Sequence, residues 1–432
     1  MASTPSSASG GRSPGGSSTV LPYRMHVSQR YLDLTRQKLD LARLPREPQT
    51  RQNQANVGVS KAQLEPLVDH WTEDYNWREQ EAYYNEVLPQ FRLAIHGTRI
   101  HFVHRRSNSM NAIPLLVAHG WPESFIAVSH VIEALCNPVS TPPRGDENVP
   151  TFHIVVPSIP GTGFSDQVAE EGNNIATTAE AFDALMKSLG YSRYIAHGSG
   201  WGFRICRMIA LTHPESCMAV HTANPEIPPP SMPGTPLQVP MQVPVTVPGL
   251  SPPVSPGALQ QQQRERPQTV SYALCDSPVG LLAYVVDAIR LPRHQSPPVS
   301  RSSSNSPRPP TLPDPWSPTA LISWAMMYWL PGPEVALRWL SNSGPMLQNL
   351  WTTHSTVPLA ISQFGDQHSS QSAPMWAEAY HRIAMVRRRA GSVRFAAWER
   401  PGEIVLDLRE LAMLVAPSYF GGYVGPGAMM EH

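Results

Sequence analysis

The residues whose types and spacing bear most directly on chemistry form one short stretch, His197-Gly198-Ser199-Gly200-Trp201-Gly202. Before it, residues 191–196 are apolar and β-branched, which predicts a buried strand. After it, residues 203–211 place apolar side chains at helical spacing, which predicts a helix. A strand, a sharp glycine turn and a helix together raise the residue at the apex of the turn above the edge of a sheet, where a side chain can act as a nucleophile.

The apex of this turn carries no nucleophile. A turn this sharp needs small residues two positions before and two positions after its apex, and Gly198 and Gly202 meet that need. The apex is then Gly200, which has no side chain. Ser199 is the alternative nucleophile, but that register would place His197 and Trp201 at the two flanks, where neither fits. We therefore favour Ser199 as a small residue that the turn tolerates.

Bulk composition excludes several classes of function. The chain has 432 residues and a formal net charge of zero, so no general attraction to nucleic acid or to anionic membranes is expected. The four cysteines are scattered without a CxxC pair, which favours reduced thiols. The first twenty residues lack the apolar core of a signal peptide, and no run of about 18 apolar residues predicts a membrane span. We expect a cytoplasmic protein with neither a metal nor a cofactor.

Strands alternate with helices through the first half of the chain. Residues 113–118 and 152–156 predict buried strands, and residues 177–189 predict a helix. This alternation indicates an α/β protein with a mainly parallel, doubly wound sheet. Further helices are predicted over residues 124–135, 270–291, 318–340 and 404–414, and the final two strands over 356–364 and 392–397.

Composition also suggests the domain limits. Residues 1–22 form a Ser/Gly/Pro-rich tail, and the Pro-rich stretches within 225–262 and 294–314 should lack regular structure. The two helices beside these stretches are expected to cap the active edge of the sheet. The predicted units are a tail (1–22), an N-terminal helical segment (23–110), the first half of the core (111–224), the cap (225–345) and the second half of the core (346–432).

Several further motifs fit one known family. They are Asp74-Tyr75-Asn76-Trp77-Arg78, His119-Gly120-Trp121-Pro122, Pro157-Ser158-Ile159-Pro160-Gly161, the glycine turn, Asp276-Ser277-Pro278-Val279-Gly280-Leu281 and Phe395-Ala396-Ala397-Trp398-Glu399. With them, the chain resembles the microsomal-type epoxide hydrolases, including their fungal relatives, from about Tyr23 to Leu414. The resemblance implies an α/β-hydrolase fold with an inserted helical cap and an N-terminal helical segment.

The resemblance also implies a mechanism. In that family an aspartate at the turn opens the epoxide and forms an ester, and a histidine with an acidic partner activates the water that cleaves it. Two cap tyrosines donate hydrogen bonds to the epoxide oxygen. Each part is chemically necessary, because the leaving alkoxide must be stabilised and the ester must meet an activated water.

Carried over position by position, this machinery is incomplete. The aspartate falls on Gly200 and the histidine on Arg394, whose guanidinium stays protonated and cannot act as a base. The acidic residue falls on Gln367, with Asp366 one place away. The two tyrosines fall near Leu259 and Leu340.

Other parts of the machinery remain. The loop of His119, Gly120 and Trp121, together with the amide of Trp201, matches the oxyanion-hole framework. Glu123 and Glu399 flank matched motifs, and we interpret both as surface or supporting groups. The run Arg387-Arg388-Arg389 indicates either an anionic partner or a solvated turn before the last strand, and we favour the turn. Four residues of the cap either line an apolar pocket or belong to the core: Trp324, Met326, Met327 and Trp329. Tyr328, beside them, is a further candidate for the pocket.

Three functions stay open from the sequence. The first is an epoxide hydrolase-like protein, a candidate pseudoenzyme of secondary metabolism that is weak or inactive in epoxide opening. The second is a repurposed cyclase, isomerase or dehydratase of a biosynthetic pathway, with His119, His197, Asp366 and Tyr328 as candidate acid–base groups. The third is a non-catalytic ligand-binding protein. In each reading the expected partner is a small apolar molecule in the capped pocket.

Overall fold

A computed structural model describes residues 19–47, 58–138, 149–168, 172–228, 265–289, 312–365 and 376–416. Within these residues one sheet of nine strands organises the chain. The strands are β1 (Leu21–Tyr23), β2 (Gln90–Ile95), β3 (Thr98–Arg105), β4 (Ile113–Ala118), β5 (Phe152–Pro157), β6 (Tyr194–Gly198), β7 (Cys217–Ala223), β8 (Ser355–Phe364) and β9 (His381–Arg389). Their spatial order is β1-β2-β3-β5-β4-β6-β7-β8-β9.

The centre and one side of the sheet are parallel. Strands β5, β4, β6, β7, β8 and β9 pair in parallel, whereas β1, β2 and β3 extend the sheet from β5 as antiparallel strands. Every residue of β4 and β6 is buried, as expected for central strands covered on both faces. The prediction of a mainly parallel sheet is confirmed.

Helices cover both faces of the sheet. They are α1 (Gln29–Asp40), α2 (Lys61–Glu73), α3 (Trp77–Val87), α4 (Ile132–Cys136), α5 (Ile175–Ser188), α6 (Trp201–Thr212), α7 (Pro267–Asp276), α8 (Pro278–Ile289), α9 (Pro318–Trp329), α10 (Glu334–Ser343), α11 (Leu347–Leu350), α12 (Ala396–Glu399) and α13 (Pro401–Val415). Leu115 of β4 packs into the core that includes α13, and its neighbour Leu116 packs into the core that includes α5 and α6. This alternation along one strand is what a doubly wound sheet requires, because successive side chains point to opposite faces.

Among the described residues between β7 and β8, the helices α7, α8, α9 and α10 form the cap, and the short α11 follows them before β8. Helix α7 packs against α10, α8 packs against α9, and α2 of the N-terminal segment also packs on α9. The prediction of two long helices, over residues 270–291 and 318–340, is wrong. The first is divided at Ser277, where Pro278 starts a new helix, and the second ends before Gly332, which has a φ of +91°. Proline and a left-handed glycine both stop helix propagation.

The end of the chain also differs from the prediction. The strand predicted over 392–397 is wrong, because the last strand is β9 and residues 396–399 form α12. Arg387, Arg388 and Arg389 therefore lie in β9 rather than in a turn. The predicted helix before Leu135 is replaced by a 3-10 turn at Phe125–Val128 and the short α4.

Other predictions concern residues that lie largely outside the described ranges. Most of the tail and of the stretches 225–262 and 294–314 falls there, so those predictions and the domain limits remain predictions. None of the described helices has both the length and the apolar composition to span a membrane on its own. The one pair that meets both criteria together, α7 and α8, is bent by 117°.

Candidate active site

The turn between β6 and α6 has the geometry of a nucleophile elbow. Strand β6 ends at Gly198 and α6 begins at Trp201, with Gly200 between them at φ +53° and ψ −116°. Residues other than glycine rarely adopt this backbone conformation, because it is strained for any residue with a Cβ. A Cβ built on Gly200 would have no heavy atom within 4 Å. The apex therefore keeps both the backbone and the room that a nucleophilic side chain needs.

The two flanks of the elbow have no such room. A Cβ on Gly198 would lie 2.5 Å from the carbonyl carbon of Gly202. A Cβ on Gly202 would overlap the carbonyl oxygen of Ala118, and the carbonyl carbon of Ala118 would be 2.9 Å away. Because β4 ends at Ala118 beside the turn, the elbow presses against the neighbouring strand. This close approach accounts for glycine at both flanks and places the apex at residue 200 rather than at Ser199.

A cavity of about 170 Å³ lies above the apex. Gly200, Ser199 and Trp201 contribute its floor, and Trp121 and Glu123 come from the loop after β4. The remaining lining comes from several elements. The loop after β4 adds Pro122, α6 adds Arg204, the end of β7 and the loop after it add Ala223, Asn224 and Glu226, the cap adds Tyr284, Asp287, Ala288 and Leu340, and the segment after β9 adds Val393, Arg394 and Phe395.

Gly200 and Arg394, far apart in sequence, line this same cavity. The Arg394 side chain is 40% exposed, and its Nη1 is 3.9 Å from Oε1 of Glu226. Glu226 also pairs with Arg204 at 3.1 Å, and the Arg204 guanidinium lies 4.5 Å above the Trp201 ring. The position that the resemblance gives to a general base thus holds a permanent cation.

The segment that carries Arg394 is held from behind by Glu399. Its Oε1 accepts hydrogen bonds from the amides of Arg394 at 3.0 Å and of Phe395 at 2.6 Å. Burial raises the pKa of Glu399, and these two amides oppose the shift. Glu399 therefore supports the backbone of the segment, in keeping with its interpretation as a supporting group.

His119 has a structural task in the loop after β4. Its Nε2 accepts a hydrogen bond from the amide of Ile159 at 3.2 Å, so the ring proton is on Nδ1, which donates to the Gly120 carbonyl at 3.2 Å. Burial lowers the pKa of His119 to about 4, which keeps the ring neutral. His119 thus fixes the loop and does not reach the cavity as an acid or a base.

The amides expected to form an oxyanion hole meet at this loop. Trp201 is the first residue of α6, so its amide is one of those that the helix itself leaves unpaired. Gly120 packs against it, since a Cβ on Gly120 would be 3.1 Å from the Trp201 nitrogen. The Gly120 amide donates to Oε2 of Glu123 at 3.3 Å. The Gly120 amide, one donor of the predicted oxyanion hole, is thus already hydrogen-bonded to the Glu123 carboxyl group of the same loop.

Glu123 lines the cavity, which the sequence does not predict. Its position favours a surface or supporting group, but the residue is only 8% exposed. Burial raises its pKa to about 7, against the opposing effects of the Gly120 amide and Arg394 and with a smaller raising effect from Glu399. The one available signal was its place directly after His119-Gly120-Trp121-Pro122, in a loop expected to face the site.

Tyr328 and Trp324 do not line the cavity, which corrects the predicted cap pocket. The Tyr328 hydroxyl donates to the backbone carbonyl of Glu123, and its ring meets Trp121 edge-on with centroids 4.2 Å apart. Trp324 packs among Trp316, Phe395 and Trp398. Both residues therefore support the walls of the cavity from outside it, as do the buried Met326 and Met327 in the adjoining core.

The remaining predicted positions divide into described and undescribed ones. Asp366 and Gln367, the candidates for the acidic residue, lie outside the described residues, as does Leu259. Leu340, at the position of the second cap tyrosine, does line the cavity and offers no hydrogen-bond donor there. The cap residues that carry polar groups into the cavity are instead Tyr284 and Asp287 of α8.

His197 belongs to a buried polar chain beneath the elbow. Its Nδ1 is 2.9 Å from Nδ1 of His221, and Nε2 of His221 is 3.0 Å from the Ser362 hydroxyl. Ser362 donates to Asp407, which pairs with Arg389 at 2.7 Å. Burial lowers the pKa of His197 to about 4 and also holds the pKa of His221 well below its usual value. His197 therefore has a structural partner in His221 and is not among the described residues that line the cavity.

The parallel core, the elbow and the inserted cap define an α/β-hydrolase. A family model described as alpha/beta hydrolase fold matches residues 113–250, and one described as Epoxide hydrolase N terminus matches residues 20–128. A candidate epoxide hydrolase of Stigmatella aurantiaca is 30% identical over 392 residues, which cover 90% of this chain and 84% of that protein. The chain therefore belongs to the epoxide hydrolase family.

Further relatives agree with this assignment. Juvenile hormone epoxide hydrolase 1 of Ctenocephalides felis is 27% identical over 413 residues, covering 90% of this chain and 85% of that protein. The solved structure of Aspergillus niger epoxide hydrolase superposes with a TM-score of 0.73 and covers 92% of this chain and 97% of that chain. Its sequence identity is 24%, so this likeness supports the fold.

Proposed function

We propose that this epoxide hydrolase-like protein binds a small molecule in its capped cavity but does not hydrolyse epoxides through an enzyme-bound ester. The observation that carries the proposal is Gly200 at the apex of an otherwise intact elbow. The ester mechanism begins with attack by a side chain at the apex, and a glycine supplies none. Loss of such a group typically lowers the rate by several orders of magnitude.

The second step of the mechanism lacks its base as well. Arg394 stands where the histidine is expected, and a guanidinium cannot accept the proton of a hydrolytic water. His119 and His197 are both buried, and each is hydrogen-bonded to another residue of the fold. Neither therefore replaces the missing base. The aromatic walls of Trp121, Trp201 and Phe395 support a binding role for an apolar ligand body.

Restoring the two missing side chains tests the proposal. The unmodified protein, incubated with styrene-type and aliphatic epoxides, should form no diol above the uncatalysed rate. Gly200→Asp should gain the mass of one epoxide in intact-mass spectrometry, because the apex has room for the carboxylate. That ester should persist, since Arg394 activates no water, and Gly200→Asp combined with Arg394→His should restore some turnover.

Ser199→Asp is the matched control. It adds the same carboxylate to the lining of the cavity but outside the apex conformation of the elbow, so an adduct in Gly200→Asp and none in Ser199→Asp would assign the reaction to the apex. Diol production by the unmodified protein, with label from heavy-oxygen water entering the enzyme, would contradict the proposal. It would show that another carboxylate serves as nucleophile.

One observation favours a second candidate, a repurposed non-hydrolytic pocket enzyme such as a cyclase, isomerase or dehydratase. Glu123 is a buried carboxyl group inside the cavity, and buried ionisable groups in clefts are typical of acid–base chemistry. Turnover of a ligand without consumption of water would support this candidate. Tight binding without turnover would support a ligand-binding protein instead.

A further inference from the structure

Among the described residues that line the cavity, Glu123 is a buried side chain that can give a proton to a ligand, whereas Tyr284 is only half-buried. The acid–base candidates that the sequence offered among the described residues are engaged elsewhere. His119 is bonded to Ile159 and Gly120, His197 to His221, and the Tyr328 hydroxyl to the Glu123 carbonyl. Glu123 differs from these three, because its carboxyl group lies in the lining of the cavity itself.

The position of this carboxyl group is well fixed. Its Oε2 accepts from the Gly120 amide at 3.3 Å, and Gly120 in turn packs against the Trp201 nitrogen beside the vacant apex. The Glu123 backbone is held by the Tyr328 hydroxyl, which is itself fully buried. The carboxyl group is therefore bound to the Gly120 amide of the predicted oxyanion hole, and it lines the same cavity as Gly200.

Charged groups face Glu123 from several elements. Arg394 and Glu399 approach from the segment around α12 and act on it in opposite directions. Tyr328 lies against it from α9, while Arg204, Glu226 and Asp287 line the same cavity. Arg204 pairs with Glu226 at 3.1 Å, and Arg394 lies 3.9 Å from the same carboxylate, so Glu226 faces both of these cations.

We propose that Glu123, as a neutral carboxylic acid, donates a hydrogen bond to the oxygen of a small uncharged ligand, an epoxide or similar cyclic ether, bound between Trp121, Trp201 and Gly200. This deepens the proposed function and rests on it, because a nucleophile at the apex would consume such a ligand. The carboxylic acid supplies the donor that Leu340, an apolar residue at a cap tyrosine position, does not.

The protonation state of Glu123 makes the proposal measurable. Burial raises its pKa to about 7, so near neutral pH part of the protein carries the donor and part carries a carboxylate. A carboxylate has no proton to donate and repels an ether oxygen. If the ligand binds the acid form alone, the dissociation constant should be about tenfold larger at pH 8 than at pH 6, as follows from a single ionisation near pH 7.

The experiment uses the full chain and styrene oxide as probe. Rapid mixing with detection of the total tryptophan fluorescence, to which Trp121 and Trp201 of the cavity wall contribute, gives the dissociation constant from pH 5.5 to pH 8.5. Binding by the unmodified protein should weaken about tenfold between pH 6 and pH 8. Glu123→Gln keeps the shape and an N–H donor but does not ionise, so its binding should be independent of pH. Glu123→Ala should bind weakly at every pH.

Three results would overturn the inference. They are a pH-independent dissociation constant in the unmodified protein, the same slope in Glu123→Gln, and no binding at pH 5.5 up to the solubility limit of the probe. If a variant fails to fold, as judged by circular dichroism, the pH dependence of the unmodified protein decides alone. Intact masses of the same samples separate this inference from the proposed function. An epoxide adduct on the unmodified protein would contradict the proposed function, whatever the pH dependence of binding.

Discussion

Adding one methyl group at each of three glycines should have three different effects on stability. Gly200→Ala places a Cβ in open space but at φ +53° and ψ −116°. Its free energy of unfolding should therefore fall by about 1–3 kcal/mol, because of backbone strain alone. Gly202→Ala forces a Cβ into the Ala118 carbonyl, which is fixed in β4 and cannot move aside. We expect a loss above about 3 kcal/mol, or no folded protein, because overpacking against backbone is not relieved by rotamer changes.

Gly402→Ala is the control for this series. Gly402 lies in α13 with helical backbone, and a Cβ there would have no heavy atom within 4 Å. Alanine should therefore stabilise the protein by about 0.5–1 kcal/mol through helix propensity and the lower entropy of the unfolded chain. The order of stability is then Gly402→Ala, unmodified protein, Gly200→Ala and Gly202→Ala.

Urea unfolding followed by circular dichroism measures the order, with midpoints compared at a common slope. Equal losses for Gly200→Ala and Gly202→Ala would refute the reasoning, because they would mean that the apex and the flank have the same surroundings. A tolerated Gly202→Ala would show that the elbow does not press against β4.

Two further predictions concern buried charge. The pKa of Glu123 is raised from 4.5 to about 7, so its protonation stabilises the fold fully below pH 4.5, and this stabilisation is lost as pH rises to 7. Relative to the unmodified protein, Glu123→Gln should therefore gain up to about 3 kcal/mol in unfolding free energy between pH 4.5 and pH 7.5, and a constant difference would contradict the burial argument. Asp407→Ala should lose about 3 kcal/mol in urea unfolding at pH 7, because it leaves Arg389 and Ser362 without their carboxylate partner. Arg387→Ala, which breaks a more exposed pair with Glu410, should lose less than about 1 kcal/mol, and equal losses would argue against a structural role for the buried pair.

The elements that could be predicted from sequence are those set by local pattern. The apolar run of β4 and the strand, turn and helix around Gly200 were predictable, because burial on both faces and glycine spacing are local signals. The vacancy at the apex followed from the same spacing. That Gly200 and Arg394 line the same cavity was expected from the family resemblance rather than from the local sequence pattern.

What could not be predicted depends on packing between distant segments. Nothing in the neighbourhood of Glu123 indicates that Tyr328, about two hundred residues later, closes over its backbone and buries it. The last strand was misplaced because residues 392–397 read as apolar and extended, while β9, with three consecutive arginines, pairs with β8 at the edge of the sheet. Tertiary context overrides local preference in both places.

Gly200 has a consequence for the direction in which this protein can change. In an elbow with a side chain, the strained apex conformation must be maintained by the rest of the fold, at a cost of about 1–3 kcal/mol. Glycine adopts it without that strain, so the chain is more stable than the same fold bearing a nucleophile would be. Placing a nucleophile at the apex therefore trades stability for activity. Stabilising substitutions elsewhere, such as Gly402→Ala, should precede an engineered variant that combines Gly200→Asp with Arg394→His and is required to turn over at elevated temperature.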